Sequence, residues 1–291
     1  KNYMGRSFMA TPIAITVEGA NILTRSLIVF GQGAIRCHPF VLKELEAAEN
    51  NDTKMGLYNF DKALFAHIGY AISNLSRSLI LAITNARYSK TPVNTNTKRY
   101  YQHINRYSAA FAVASDFAML SLGGELKKKE LLSARLGDVL SSMYLASTVL
   151  KHYENQGCKP NDLPLVQWSV RTLMYEAQEK LHNFLKNLPN RPLASFLRCF
   201  IFPRGRSYSP PPDELTKKVS AIITTCGDAR ERLSEYAYTI LEDGNPLGLL
   251  QEALELSEKT GLIEAKLRQA RKDGLIKSDY LGHQIDEAEK Q

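Results

Sequence analysis

One carboxylate stands apart in this chain. Glu18 lies in TPIAITVEGANILTRSLIVF (11–30), between an apolar approach and a helical pattern with Ile22, Leu23, Leu27 and Phe30 on one side. Apolar flanks desolvate a carboxylate and raise its pKa, whereas a helix N-terminus lowers it. That balance suits a base that stays ionised in water and becomes strong once a ligand excludes water. Gly19 has no side chain, so a ligand can approach the backbone closely there. A plainer reading stays open: Glu18 and Asn21 simply start a helix, as acids in first turns commonly do.

The elements that must position Glu18 are helices. Phe60, Leu64, Ile68, Ile72, Leu75, Leu79 and Ile83 step by three or four, which is one face of a long helix. The run from Tyr107 to Leu122 is small and apolar, as expected where helices pack closely. Leu131–Tyr153 and Leu163–Leu188 repeat the helical spacing, with Pro164 in a first turn. No convincing alternation of period two occurs, so the fold class is all-α, with eight to ten helices. Asn50-Asn51-Asp52, Thr91–Thr97, Gly157–Pro164 and the hinge-like Pro203–Pro212 punctuate it. Beyond the last of these, helices are expected near 213–241, 246–259, 262–272 and 278–290.

Composition narrows the class further. The 291 residues hold 37 basic and 30 acidic side chains, a net charge of +7. Hydrophobic residues make up 44% and charged residues 23%, which excludes a disordered, collagenous or disulfide-built chain. Cys37, Cys158, Cys199 and Cys226 form no CxxC, so neither a bridged framework nor a metal site is expected. No uncharged apolar run reaches the roughly 18 residues of a spanning helix, and no signal peptide is visible. The chain opens on Lys1 and closes within a helical pattern, so it is expected to be part of a longer protein.

The string Glu18-Gly19-Ala20-Asn21-Ile22-Leu23-Thr24-Arg25 resembles the E-G-T-N-x-I-x-R signature of acyl-CoA dehydrogenases. The longer SFMATPIAITVEGANILTRSLIVFGQGAIRCHPF (7–40) is similar to the large bacterial members of that family. So are the helical C-terminal region that follows and its Phe202-Pro203-Arg204-Gly205 and Lys272-Asp273-Gly274-Leu275-Ile276 stretches. The resemblance implies that residues 1–50 end the dehydrogenase's C-terminal bundle, and that 51–291 form an appended second helical bundle region. It implies that Glu18 removes the α-proton of a fatty acyl thioester in β-oxidation, with Gly19, Ala20 and Asn21 beside FAD and substrate. Ala20 stands where the family has Thr, so a hydroxyl contact to the flavin is lost. Most flavin contacts belong to upstream domains, so these 291 residues alone are expected neither to hold FAD tightly nor to turn over. An electron-transferring flavoprotein as oxidant and a homo-oligomeric state are also implied.

A second class of function rests on residues 180–212. Lys180, Lys186, Arg191, Arg198, Arg204 and Arg206 occur there with no acid, interleaved with Phe184, Phe196, Leu197, Phe200, Ile201 and Phe202. Basic residues around aromatics suit an anionic membrane surface. On that reading 51–291 is a membrane-docking or subunit-contact module, and the protein is cytoplasmic or peripheral on the inner membrane. Resemblance to the layout of very-long-chain acyl-CoA dehydrogenases favours it. The competing reading packs the aromatics in the core and leaves the charges solvated.

Other signals are weaker. Glu179-Lys180-Leu181-His182 is a single E-x-x-H, whereas a di-iron bundle needs two. Gly31-Gln32-Gly33 follows no strand, so it is no dinucleotide fingerprint. His67 and His103 read as structural residues, and His38 beside Cys37 is adjacency without geometry. No nucleic-acid-binding motif accompanies the basic charge.

Overall fold

The computed structural model describes Gly5, residues 8–13, Arg25, and residues 32–93 and 95–276. Among them every regular element is a helix. The helices are α1 (Gly33–Cys37), α2 (Val41–Ala48), α3 (Thr53–Ile83), α4 (Lys98–Leu122), α5 (Glu130–Asn155), α6 (Leu163–Asn187), α7 (Arg191–Ile201), α8 (Asp213–Thr224), α9 (Asp228–Leu233) and α10 (Pro246–Lys272). The described residues fall into two compact units, those of 9–212 in one, and Gly5, Phe8 and 213–276 in the other.

In the larger unit α5 and α6 pack along their lengths. Leu136, Val139 and Leu150 meet Val170, Leu181, Phe184 and Leu185 in a fully buried seam. Helix α4 joins this core through Ala110, Val113, Ala114 and Ala118, whose small side chains let helices approach. By length and composition Lys98–Lys127 could cross a membrane, but Ala109, Ala110, Ala114 and Ala118 are core and Asp116 is paired, as below.

Helix α3 starts where the sequence breaks. Asp52 caps it, its carboxylate accepting from the amides of Lys54 (3.0 Å) and Met55 (3.2 Å). The helix buries Gly56, Ala63, Asn74, Ser78 and Ala82 rather than its apolar stripe. Ile68, Ile72 and Ile83 of that stripe are exposed. Small residues win the inner face because α2 lies close: a Cβ on Gly56 would come 2.8 Å from the Ala47 carbonyl oxygen.

Polar clamps hold the connections. Past the end of α3, Asn85 and Ala86 take positive φ, a costly conformation that neighbours must enforce. Arg99 donates to the Asn85 carbonyl (3.1 Å), buried Arg106 to the Asn85 side chain (3.3 Å), and Gln102 to the Arg87 carbonyl (2.9 Å). Burial, with the charges of Arg99 and Arg106, pushes the His103 pKa down to about 3. The same face of α4 and α6 straps the Pro203–Pro212 segment. Arg106 donates to Ser207 Oγ (2.8 Å), and buried Gln178 pairs with both the Tyr208 amide (2.9 Å) and its carbonyl (3.0 Å).

The smaller unit departs from the expected helices. The helix foreseen over 213–241 stops at Thr224, and α9 ends at Leu233, leaving Tyr236 fully in water. Gly227, with extended backbone, separates the two pieces. Conversely, 246–259 and 262–272 are one helix. Asn245 caps it by accepting from the Leu247 amide (3.1 Å), and Gly261 is accommodated inside it at a cost of about 1 kcal/mol. The expected helix at 278–290 lies outside the described residues.

Candidate functional site

Glu18, Gly19, Ala20 and Asn21 lie outside the described residues. Arg25, the last residue of the same string, is described. Its Nε lies 3.2 Å from Asp138 Oδ1 on α5, and Lys180 Nζ of α6 lies 2.7 Å from Asp138 Oδ2. Asp138 is mostly buried while both cations are about half exposed. A carboxylate shared by two cations has both oxygens satisfied. It ties the end of the 18–25 string to the α5–α6 seam.

A second cluster assembles where α1, α2, α3 and α4 converge. His38 follows α1, and its Nδ1 accepts from the amides of Phe40 (3.2 Å) and Val41 (3.1 Å), the first residues leading into α2. A nitrogen that accepts two amides carries no proton, so the proton of the neutral ring sits on Nε2. That Nε2–H donates to Asp116 Oδ1 at 2.9 Å, with both side chains more than nine-tenths buried. One turn into α2, Glu44 Oε1 lies 2.8 Å from Nδ1 of His67 on α3. The two imidazoles are 4.6 Å apart between centroids, and Phe40 and Tyr70 pack around them.

Sequence reasoning missed this cluster. A signal was available: Asp116 is a lone acid in SAAFAVASDFAML, and His67 is the lone basic side chain in ALFAHIGYAIS. An ionisable residue inside an apolar helix must find a partner.

The basic segment is rearranged by the fold. Acids from elsewhere in the bundle oppose two of its charges: Lys180 pairs with Asp138, and Arg206 with Glu179 at 2.9 Å. Arg191 donates to the Lys186 carbonyl. Lys186, Arg191, Arg198 and Arg204 remain exposed. Phe202, expected on a membrane-facing surface, is core, as are Phe184, Leu197 and Ile201. Residues 194, 197 and 201 step by three and four along α7, so its inner stripe takes the apolar side chains. Phe200 is half-buried with its ring 4.6 Å from Phe196, which in turn lies edge-on to Phe117 of α4 at 6.3 Å. The membrane reading thus loses two of its four phenylalanines, Phe184 and Phe202, to the core. In the E-x-x-H string, Glu179 is engaged by Arg206, and His182 lies edge-on to Phe202. Burial and the charges of Arg206 and Arg198 lower the His182 pKa.

Residues 35–291 match the family model described as acyl-CoA dehydrogenase, C-terminal, bacterial type. No solved structure matches the chain.

Proposed function

We propose that this chain, which belongs to the acyl-CoA dehydrogenase family through its bacterial-type C-terminal domain, is the C-terminal part of an enzyme that introduces a trans-2 double bond into fatty acyl-CoA in β-oxidation. The family match over 35–291 carries the reading. The E-G-A-N-I-L-T-R string just before the matched region supports it.

In this reading Glu18 is the base. The α-proton of a thioester is weakly acidic, so its removal needs a carboxylate in a site closed to water and a polarised thioester carbonyl. Glu18 takes the α-proton, the α,β double bond forms as the β-hydride leaves, and Glu18 later returns its proton to solvent. When bound, FAD supplies the hydride acceptor, and an electron-transferring flavoprotein reoxidises it. Gly19 and Ala20 offer the flavin backbone only. Arg25, the last residue of that string, pairs with Asp138 of α5. The assembled enzyme is expected to be a homo-oligomer.

The test uses the complete enzyme. Mixing it with a saturated fatty acyl-CoA should bleach the oxidised flavin absorbance and yield enoyl-CoA when electron-transferring flavoprotein is present. An unbleached flavin with every chain length would overturn the assignment.

A further inference from the structure

Asp116 poses a problem that its own hydrogen bonds do not solve. Its side chain is more than nine-tenths buried, and Oδ1 is satisfied by His38, yet Oδ2 is buried with no partner. An unpaired buried carboxylate oxygen costs about 1–3 kcal/mol or more. Within 4.8 Å of one another lie a carboxylate oxygen of Asp116, a ring nitrogen of His38 and a ring nitrogen of His67.

Hydrogen bonding assigns each nitrogen a role. His38 Nδ1 is held as an acceptor by two amides, so Nε2–H points at Asp116 and His38 has no lone pair to give. His67 is the reverse: Nδ1–H donates to Glu44 Oε1 at 2.8 Å, which leaves the Nε2 lone pair free. A free imidazole lone pair and an unpartnered carboxylate oxygen therefore sit in one cluster, each with its own supporting partner. Carboxylate-to-histidine support of this kind orients metal-bound imidazoles and raises their basicity.

We propose that His67 Nε2 and Asp116 Oδ2 bind a divalent first-row cation of the zinc and cobalt class, with Glu44 and His38 as outer supports and water completing the shell. Mixed nitrogen and oxygen donors favour these ions over Mg²⁺ or Ca²⁺. Ligand atoms around tetrahedral zinc stand about 3.3 Å apart, given bonds of about 2.0–2.1 Å. The cation would pin α3 to α4 while Glu44 and His38 hold α2 and the turn before it, just downstream of the 18–25 string. The proposal does not depend on the dehydrogenase assignment.

The test is titration of the chelator-treated 291-residue chain with Zn²⁺ and, separately, Co²⁺. Expected are one equivalent bound, a raised melting midpoint, and visible d–d bands with Co²⁺. His67→Gln and Asp116→Asn should each weaken binding at least tenfold, with helicity by circular dichroism retained in Asp116→Asn, whose amide oxygen still accepts from His38. Cys37→Ser should leave binding unchanged. Absence of stoichiometric binding, binding indifferent to His67→Gln and Asp116→Asn, or binding lost in Cys37→Ser would each overturn the proposal.

Discussion

Arg25 and Lys180 meet on one carboxylate, with Arg25 Nε 3.2 Å from Asp138 Oδ1 and Lys180 Nζ 2.7 Å from Oδ2. Both cations are about half exposed, so solvent screens each pair, and exposed pairs contribute about 0.2–1 kcal/mol. Asp138→Ala should lower stability by about 1 kcal/mol, read as a shift in urea midpoint at constant slope. A Lys180→Ala, Asp138→Ala cycle should show coupling between the two residues.

His103 sets a pH dependence. Burial, with Arg99 and Arg106, holds its folded pKa at about 3, against an ordinary 6.5. The unfolded chain therefore takes up a proton near pH 6.5 that the folded chain refuses until about 3. Stability from this residue is intact above 6.5 and falls as pH drops below it, by about 1.4 kcal/mol per pH unit. Unfolding at pH 7 and pH 5 should show a smaller difference in His103→Gln than in the parent chain.

Gln178 holds the strap at Tyr208. Gln178→Leu keeps the volume but strands the Tyr208 amide and carbonyl, at about 1–3 kcal/mol for each group left unpaired. Limited proteolysis should then cut within 203–212 faster than in the parent chain.

Gly56 makes helix propensity and packing disagree. Alanine would gain about 1 kcal/mol in an open helix. Here its Cβ would stand 2.8 Å from the Ala47 carbonyl, a backbone atom that cannot swing aside. Gly56→Ala should therefore destabilise by about 1–3 kcal/mol, measured by chemical unfolding.

The long helices of the larger unit were legible because their apolar spacing and breakers are local, whereas α7 was not read from the sequence. Asp52 and Pro164 mark helix starts in the sequence and occupy them in the structure. Partners distant in sequence were not legible. Glu179 neutralises Arg206 from 27 residues away, and Asp138 meets Lys180 from 42 away. A tally of charge along 180–212 therefore overstated the free basic surface. Phe202 reads alike in a core or on a membrane, since only its place on the inner side decides. His38 and Asp116 are separated by 78 residues, so the cluster existed only once four helices converged. Glu18 depends on family resemblance for its role, because one carboxylate before a helix is also a common helix start.

The role of Glu18 is tested most directly by Glu18→Gln in the complete enzyme, following flavin absorbance after mixing with saturated fatty acyl-CoA. Glutamine keeps the shape and removes the base. The account predicts retained flavin and acyl-CoA binding, with flavin reduction slowed by about 10²–10⁴-fold. Reduction at the parent rate in a variant that still binds acyl-CoA would contradict it.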